Sequence, residues 1–330
     1  MKTQRPGIDR RHFLQSLALA AVAPLASYAK TDPSQFRGVY PIMQTPYNDS
    51  GALDFETLAK QTEWLDRTGT HGIVWPQLAS EYARLTYDER IEGMSTIVEA
   101  NKGLRPKCVL GVQAEDAASA VKYARHADKI RPDAIIAIPP RKGDQYDFDL
   151  DVMRDYYIAI GKATDLPLFI QAIGDVSVEF ILDLMKKVPS LRFVKDEAGH
   201  TLYRISEFAQ VDERRRPLIF TGGHGQTLID EMARGSSGNM PAASVVDLYA
   251  DCWNLWHAGQ KAQAIDVFSK IMLFVTQFRA YGLESLSYVL HLRGVFPNWK
   301  VRSPRKDPMD KEAMAALERS YEFVKPYLRA

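Results

Sequence analysis

Leu191-Arg192-Phe193-Val194-Lys195-Asp196-Glu197 is a short apolar run that breaks abruptly into charge. A run of this length, rich in Leu, Phe and Val, reads as a strand buried on both faces. Seven further runs share that look, at 38–43, 72–75, 108–112, 134–138, 168–173, 218–221 and, more weakly, 237–240. Between them lie amphipathic stretches. The spacing predicts a helix over 55–67, with Leu58, Thr62, Trp64 and Leu65 near one face, and others over 117–130 and 178–188. Asp116 is placed to cap the second of these, and Pro132 follows its end. Eight buried strands alternating with helices point to an α/β chain folded as a (β/α)8 TIM barrel. The competing doubly wound sheet usually carries a glycine-rich turn after its first strand, whereas here that strand runs into Gln44-Thr45-Pro46-Tyr47. After Asp247 the pattern is helical, over 248–257, 260–278, 284–293 and 310–327. The expected organisation is a barrel over 30–258 and a C-terminal helical extension of the same domain over 259–330.

Residues 1–29 read differently. Arg10-Arg11-His12-Phe13-Leu14 precedes an Ala/Leu-rich core and the small-residue end Ser27-Tyr28-Ala29. Charge, apolar core and cleavage-like site in that order indicate a twin-arginine-type signal peptide, with a periplasmic or otherwise exported mature protein beginning near Lys30. The alternative is an amphipathic helix belonging to the fold. The apolar core is too short to span a bilayer, and no membrane span is expected in the mature protein.

Composition narrows the function classes. With 25% charged residues and a net charge of +1, nothing favours nucleic acid or an anionic membrane as partner. The run Glu213-Arg214-Arg215-Arg216 is short enough to be a solvated loop. Cys108 and Cys252 both sit in apolar segments and read as buried thiols. No histidine spacing resembles a zinc site, so neither a metal nor another cofactor is expected.

In such a barrel the carboxyl ends of the strands carry the chemistry. Lys195 lies there, where desolvation lowers an amine's pKa and exposes a nucleophile. The rival reading is an edge lysine reaching out to solvent. Glu197 is two residues on, and if the strand continues, the period of two places both side chains on one face. Gln44, Gln77, Gln113 and Gln171 all fall at expected strand ends, and neutral amides suit a hydroxyl-rich substrate. Thr45 and Asn239 share that level. His224, after two glycines, is either functional or a helix opener. Arg141 and Lys142 either receive a carboxylate or are solvated loop charges.

With these residues in place, the chain resembles the dihydrodipicolinate synthase / N-acetylneuraminate lyase family over about residues 37–304. The resemblance rests on Gly38-Val39-Tyr40-Pro41 with Thr45-Pro46-Tyr47, Leu85-Thr86-Tyr87-Asp88-Glu89-Arg90, Ile138-Pro139-Pro140, Asp165-Leu166-Pro167 and Val194-Lys195. It implies a class I, Schiff-base-forming lyase acting on a small 2-keto acid. It also implies a homo-oligomer, dimer or tetramer, and Lys195 as the imine-forming residue. The family's Gly-Thr-Thr-Gly-Glu carboxylate loop is replaced by Gln77-Leu78-Ala79-Ser80-Glu81, where Ala79 and Ser80 would take the binding role. Its catalytic tyrosine is replaced by Gln171 and the arginine that follows by Val176; Arg141-Lys142 stand where a tyrosine follows Pro-Pro.

Gln171 together with Lys195-Asp196-Glu197 is similar to the branch that dehydrates 2-keto-3-deoxy sugar acids. The resemblance therefore implies dehydration through a Lys195 enamine, with Glu197 as acid–base and Gln171 holding hydroxyls. Two alternatives stay open: a class I aldolase making or breaking a C3–C4 bond with pyruvate, and a non-catalytic exported binding protein on this scaffold.

Overall fold

The apolar runs become strands because a barrel strand is covered inside by its fellows and outside by helices. The computed structural model describes residues 32–143, 145–303 and 306–330; the expected signal segment lies outside the described residues. In chain order the strands are β1 (Gly38–Val39), β2 (Gly72–Trp75), β3 (Lys107–Gly111), β4 (Ala134–Ala137), β5 (Arg141–Lys142), β6 (Gln145–Tyr146), β7 (Leu168–Ala172), β8 (Leu191–Asp196), β9 (Leu218–Thr221) and β10 (Gly238–Asn239). Eight of them form one parallel sheet in the order β1-β10-β9-β8-β7-β4-β3-β2. Ile42 bridges Val74 on one side and Ala242 on the other, which closes the sheet into the expected barrel. The expected first strand, 38–43, is interrupted at Pro41. Proline has no N–H to donate, so the ladder splits into Gly38–Val39 and the single bridge at Ile42.

The remaining strands, β5 and β6, form a separate antiparallel hairpin directly after β4. Nothing in the apolar pattern foreshadowed it, since each of its strands is two residues long.

The helices fall close to their expected places. The first, Phe55–Arg67, buries Leu58, Thr62, Trp64 and Leu65, and Asp54 caps it. Asp116 accepts from the Ser119 N–H at 2.8 Å to cap Ala117–Ile130. The helix Tyr87–Ala100 opens on a reciprocal capping box between Thr86 and Glu89. After the last barrel helix, Val246–His257, the chain continues through Lys261–Tyr281, Leu283–Leu292 and Lys311–Val324. These helices pack onto the barrel. The Arg293 guanidinium, on the turn after Leu283–Leu292, lies 2.5 Å from the Asp247 carboxylate, with both side chains almost fully buried. Cys108 and Cys252 are buried free thiols, and Asp212 to Arg215 are exposed. No described helix is long and apolar enough to cross a membrane.

Two layers of packing set up the site. One core fills the space between sheet and helices. A second, smaller one fills the barrel itself and includes Phe36, Tyr40, Val109, Phe169, Phe193 and Phe220. Phe169 and Phe193 stack at 4.2 Å between ring centroids. One step of the pleat further toward the carboxyl ends, the same inward rows carry Gln171 above Phe169, Lys195 above Phe193 and Gly222 above Phe220. An aromatic floor thus lies beneath a polar layer.

Candidate active site

β8 is longer than the apolar run alone indicated, reaching Asp196, and the Glu197 N–H still bonds to the Ala172 carbonyl at 2.9 Å. The period of two therefore holds through the charged end. Asp196 faces the helix layer and bonds to the Arg204 guanidinium at 2.9 Å. Lys195 and Glu197 face inward together. Lys195 is 4% exposed, and its Nζ lies 2.8 Å from Glu197 Oε2. This is a buried amine in contact with a carboxylate, not an edge lysine in solvent.

Three further contacts hold the carboxylate. Gln171, paired with Lys195 in the sheet register, donates its Nε2 to Glu197 Oε2 at 2.5 Å. The Gly223 backbone N–H donates to Oε1 at 2.9 Å. Gly222 lets the next strand approach: a Cβ there would lie 2.0 Å from Glu197 Oε1. Burial acts to raise the Glu197 pKa. The Lys195 charge and the bonds from Lys195, Gly223 and Gln171 outweigh it, and the carboxyl titrates below its usual range. Glu197 is therefore held ionised and remains 24% exposed, on the wall of a cavity of about 480 Å³ that Gln226, Thr227, Glu231 and Arg279 also line.

The other expected residues divide into two groups. Near the amine are Gln171 and His224; the charges of Glu197 and Lys195 both reach His224, whose pKa is lowered, chiefly by burial. His224 sits in a left-handed turn (φ 56°) with its carbonyl accepting from the Tyr249 hydroxyl at 2.6 Å, so it does not open a helix as a cap.

The second group braces the loops. Gln44 donates to the Ile42 carbonyl and accepts from the Ala243 N–H, so its amide braces the barrel seam. Thr45 donates to the Ser80 carbonyl at 2.6 Å and accepts from the Trp75 indole at 3.0 Å. The Ser80 hydroxyl donates its one proton to the Met43 carbonyl at 2.5 Å and accepts from the Gln77 N–H, within the loop. Ala79 is the middle residue of the same short 3-10 turn, Leu78–Ser80. Gln77 donates to Gln113, which in turn donates to the Pro76 carbonyl at 2.7 Å. Asn239 donates to the Thr221 hydroxyl at 2.8 Å. Among the described residues, the side-chain oxygens of Gln77, Gln171 and Asn239 are buried acceptors without a partner. Two of the four glutamines thus keep the hydroxyl-binding capacity expected of them.

Several site features escaped the sequence reading. The Gly222-Gly223 cradle was visible only as a pair of glycines. Arg90 proves to be a buried brace: it donates to the carbonyls of Gln113 and Gly111 and lies 3.7 Å over the Tyr123 ring. Its guanidinium is also 5.8 Å from the Tyr82 ring, which explains why the Leu85 to Arg90 segment is fixed against the strand ends.

With that geometry in view, comparison with known proteins settles the family. The profile of the Dihydrodipicolinate synthetase family matches residues 35–322. The chain belongs to that family. A curated relative, 4-hydroxy-tetrahydrodipicolinate synthase of Rhizobium meliloti, is 26% identical over 291 residues, covering 86% of this chain and 96% of the relative. The structure of the synthase of that name from Methylacidiphilum fumariolicum superposes with a TM-score of 0.79 at 20% identity, covering 88% of this chain and 96% of the other. N-acetylneuraminate lyase from Mycoplasma synoviae superposes with a TM-score of 0.76 at 21% identity, covering 88% and 99%. These two likenesses establish the barrel with its C-terminal helices. Family membership makes the chain an enzyme, a class I lyase, which removes the reading of a non-catalytic binding protein.

Proposed function

We propose that the chain dehydrates a 2-keto-3-deoxy sugar acid through an enamine on Lys195. The observation that carries this reading is the contact of buried Lys195 Nζ with Glu197 Oε2 at 2.8 Å, with an amide at position 171 as the carboxylate's neighbour. Glu197 accepts a proton from the Lys195 ammonium, the free amine attacks the C2 ketone, and Glu197 returns that proton to the carbinolamine hydroxyl, which leaves as water to give the iminium. The iminium acidifies C3. Glu197 takes a C3 proton, and the electron pair of that C–H bond forms the enamine. The enamine expels the C4 hydroxyl, which leaves as water with the proton from Glu197. Hydrolysis of the unsaturated iminium frees the product and Lys195. The partnerless oxygens of Gln171 and Gln77 suit substrate hydroxyls. In the Leu78–Ser80 turn, the Ser80, Glu81 and Tyr82 N–H groups bond internally, so a carboxylate would meet those of Leu78 and Ala79.

The test is borohydride reduction with a panel of 2-keto-3-deoxy acids, followed by mass spectrometry of the Lys195 peptide and analysis of products. A trapped adduct with a dehydrated keto acid is the expected result. Release of pyruvate instead would replace dehydration by aldol cleavage, and no adduct on Lys195 would end the imine reading.

The glycine cradle yields a second expectation. A Cβ at position 222 would displace the Glu197 carboxyl, and a misplacement of this kind costs about 100-fold in turnover. Gly222→Ala should therefore lose roughly that much kcat while pyruvate still traps on Lys195. Loosened from its donors, Glu197 should titrate higher, so the acid limb of the pH–rate profile should move up in pH. A profile and kcat equal to those of the unmodified enzyme would show the cradle to be irrelevant.

A further inference from the structure

The hairpin β5–β6 has no part in the chemistry described so far, yet it is fixed over the barrel mouth. The Arg141 N–H bonds to the Glu115 carbonyl at 3.1 Å and the Asp147 N–H to the Pro140 carbonyl at 2.8 Å. Just beyond the hairpin, the Phe148 ring lies so close over Gly174, past the end of β7, that a Cβ there would meet it at 2.5 Å. Tyr146 is thereby carried from the end of β4 toward the end of β7. Its hydroxyl comes within 3.5 Å of the Tyr82 hydroxyl, and the charge of Glu197 reaches the phenol. Tyr82 follows Glu81 on the loop from β2 and is 6% exposed. Residues 82 and 146 thus meet from the loops after β2 and β4, at the same end of the barrel as Glu197.

We propose that Tyr82 and Tyr146 form a subsite for a hydroxyl on the distal carbon chain of the substrate. This rests on Lys195 being the imine former. A separation of 3.5 Å is long for two hydroxyls, so their mutual bond is weak and both retain capacity for a third partner. Each phenol can donate and accept, which matches an alcohol. Burial, the Tyr82 contact and the Glu197 charge keep the Tyr146 phenol protonated, so the subsite offers neutral donors. The adjoining cavity of about 340 Å³ sets Glu81 and Glu115 against Arg84 and Arg141. Two carboxylates and two guanidinium groups balance, which favours an uncharged polyol chain over a second carboxylate. The Arg141 guanidinium, 5.8 Å from the Tyr146 ring, orients that ring.

Tyr146→Phe keeps the ring and removes only the hydroxyl. The readout is the ligand concentration that gives half-maximal borohydride trapping on Lys195, which requires no turnover. A five-carbon 2-keto-3-deoxy acid carries a distal hydroxyl; 4-hydroxy-2-oxobutanoate and pyruvate do not. For the five-carbon acid the half-maximal concentration should rise about tenfold in Tyr146→Phe, the loss of one hydrogen bond. For the two shorter ligands it should not move. Tyr82→Phe should behave alike, and the double variant should lose less than the product of the two single effects. A uniform change across all three ligands, or no change for the five-carbon acid, overturns the subsite while leaving the imine reading intact. Absence of trapping by any ligand in the unmodified enzyme overturns both.

Discussion

Lys195→Ala is expected to abolish borohydride trapping and to lower turnover by roughly 10⁴- to 10⁶-fold, the scale on which removal of a covalent nucleophile is felt. The size follows from the mechanism: without the amine no iminium forms, and the C3 proton of a simple ketone is too weak an acid for a carboxylate. Alanine also deprives Glu197 of its cation, so some of the loss could come from a disturbed carboxyl. Lys195→Arg separates the two effects. Arginine preserves the positive charge against Glu197 but its guanidinium, always protonated, cannot condense with a ketone. Both variants should show no adduct and the same low turnover. Substantial turnover in Lys195→Arg would mean that the ion pair matters and the imine does not.

The legible part of this protein is the part governed by short-range rules. The eight runs mark strands because burial on both faces demands continuous apolar sequence, and the period of two then places Lys195 and Glu197 together from the register of Phe193 alone. What was missed depends on contacts between distant segments. Pro41 looked like part of a strand, but its missing N–H matters only once Ile42 must bridge two neighbours. Gln44 looked like Gln171, since both end apolar runs; only closure of the barrel brings Ala243 to Gln44 and leaves Glu197 to Gln171. Arg141 and Lys142 read equally as carboxylate receivers or as solvated loop charges, and strands of two residues carry no periodicity that would single out Tyr146. Its partner Tyr82 is 64 positions away, beyond any local pattern.

The site also explains how a glutamine can stand where the family carries a tyrosine. An amide cannot relay a proton as a phenol does, and Gln171 is not asked to. It donates to the Glu197 carboxylate, helping to hold it ionised and in contact with the amine. In the proposed mechanism the loss of an acid–base group on β7 is matched by the gain of one at the end of β8. Under that proposal one carboxylate serves at both C3 and C4, which it can do by turns because each transfer restores the form needed for the next.

Glu197→Gln tests that division of labour. The amide keeps the shape of the side chain, and its oxygen can still accept from the Gly223 N–H. What it loses is the ability to take a proton. Removal of a positioned general base typically costs about 10²- to 10⁴-fold, and dehydration should fall by that amount. In Glu197→Gln the Lys195 ammonium can give its proton to water instead, so pyruvate should still trap on Lys195, with a pH dependence altered by the missing negative charge. A sharper readout avoids the sugar acid altogether. In D₂O the unmodified enzyme should exchange the methyl protons of bound pyruvate through the enamine, and Glu197→Gln should form the adduct with exchange slowed by about the same 10²- to 10⁴-fold. Exchange at the original rate would assign the base to another group at the barrel mouth, with His224 the first to replace, since both charges of the Lys195–Glu197 pair reach its imidazole.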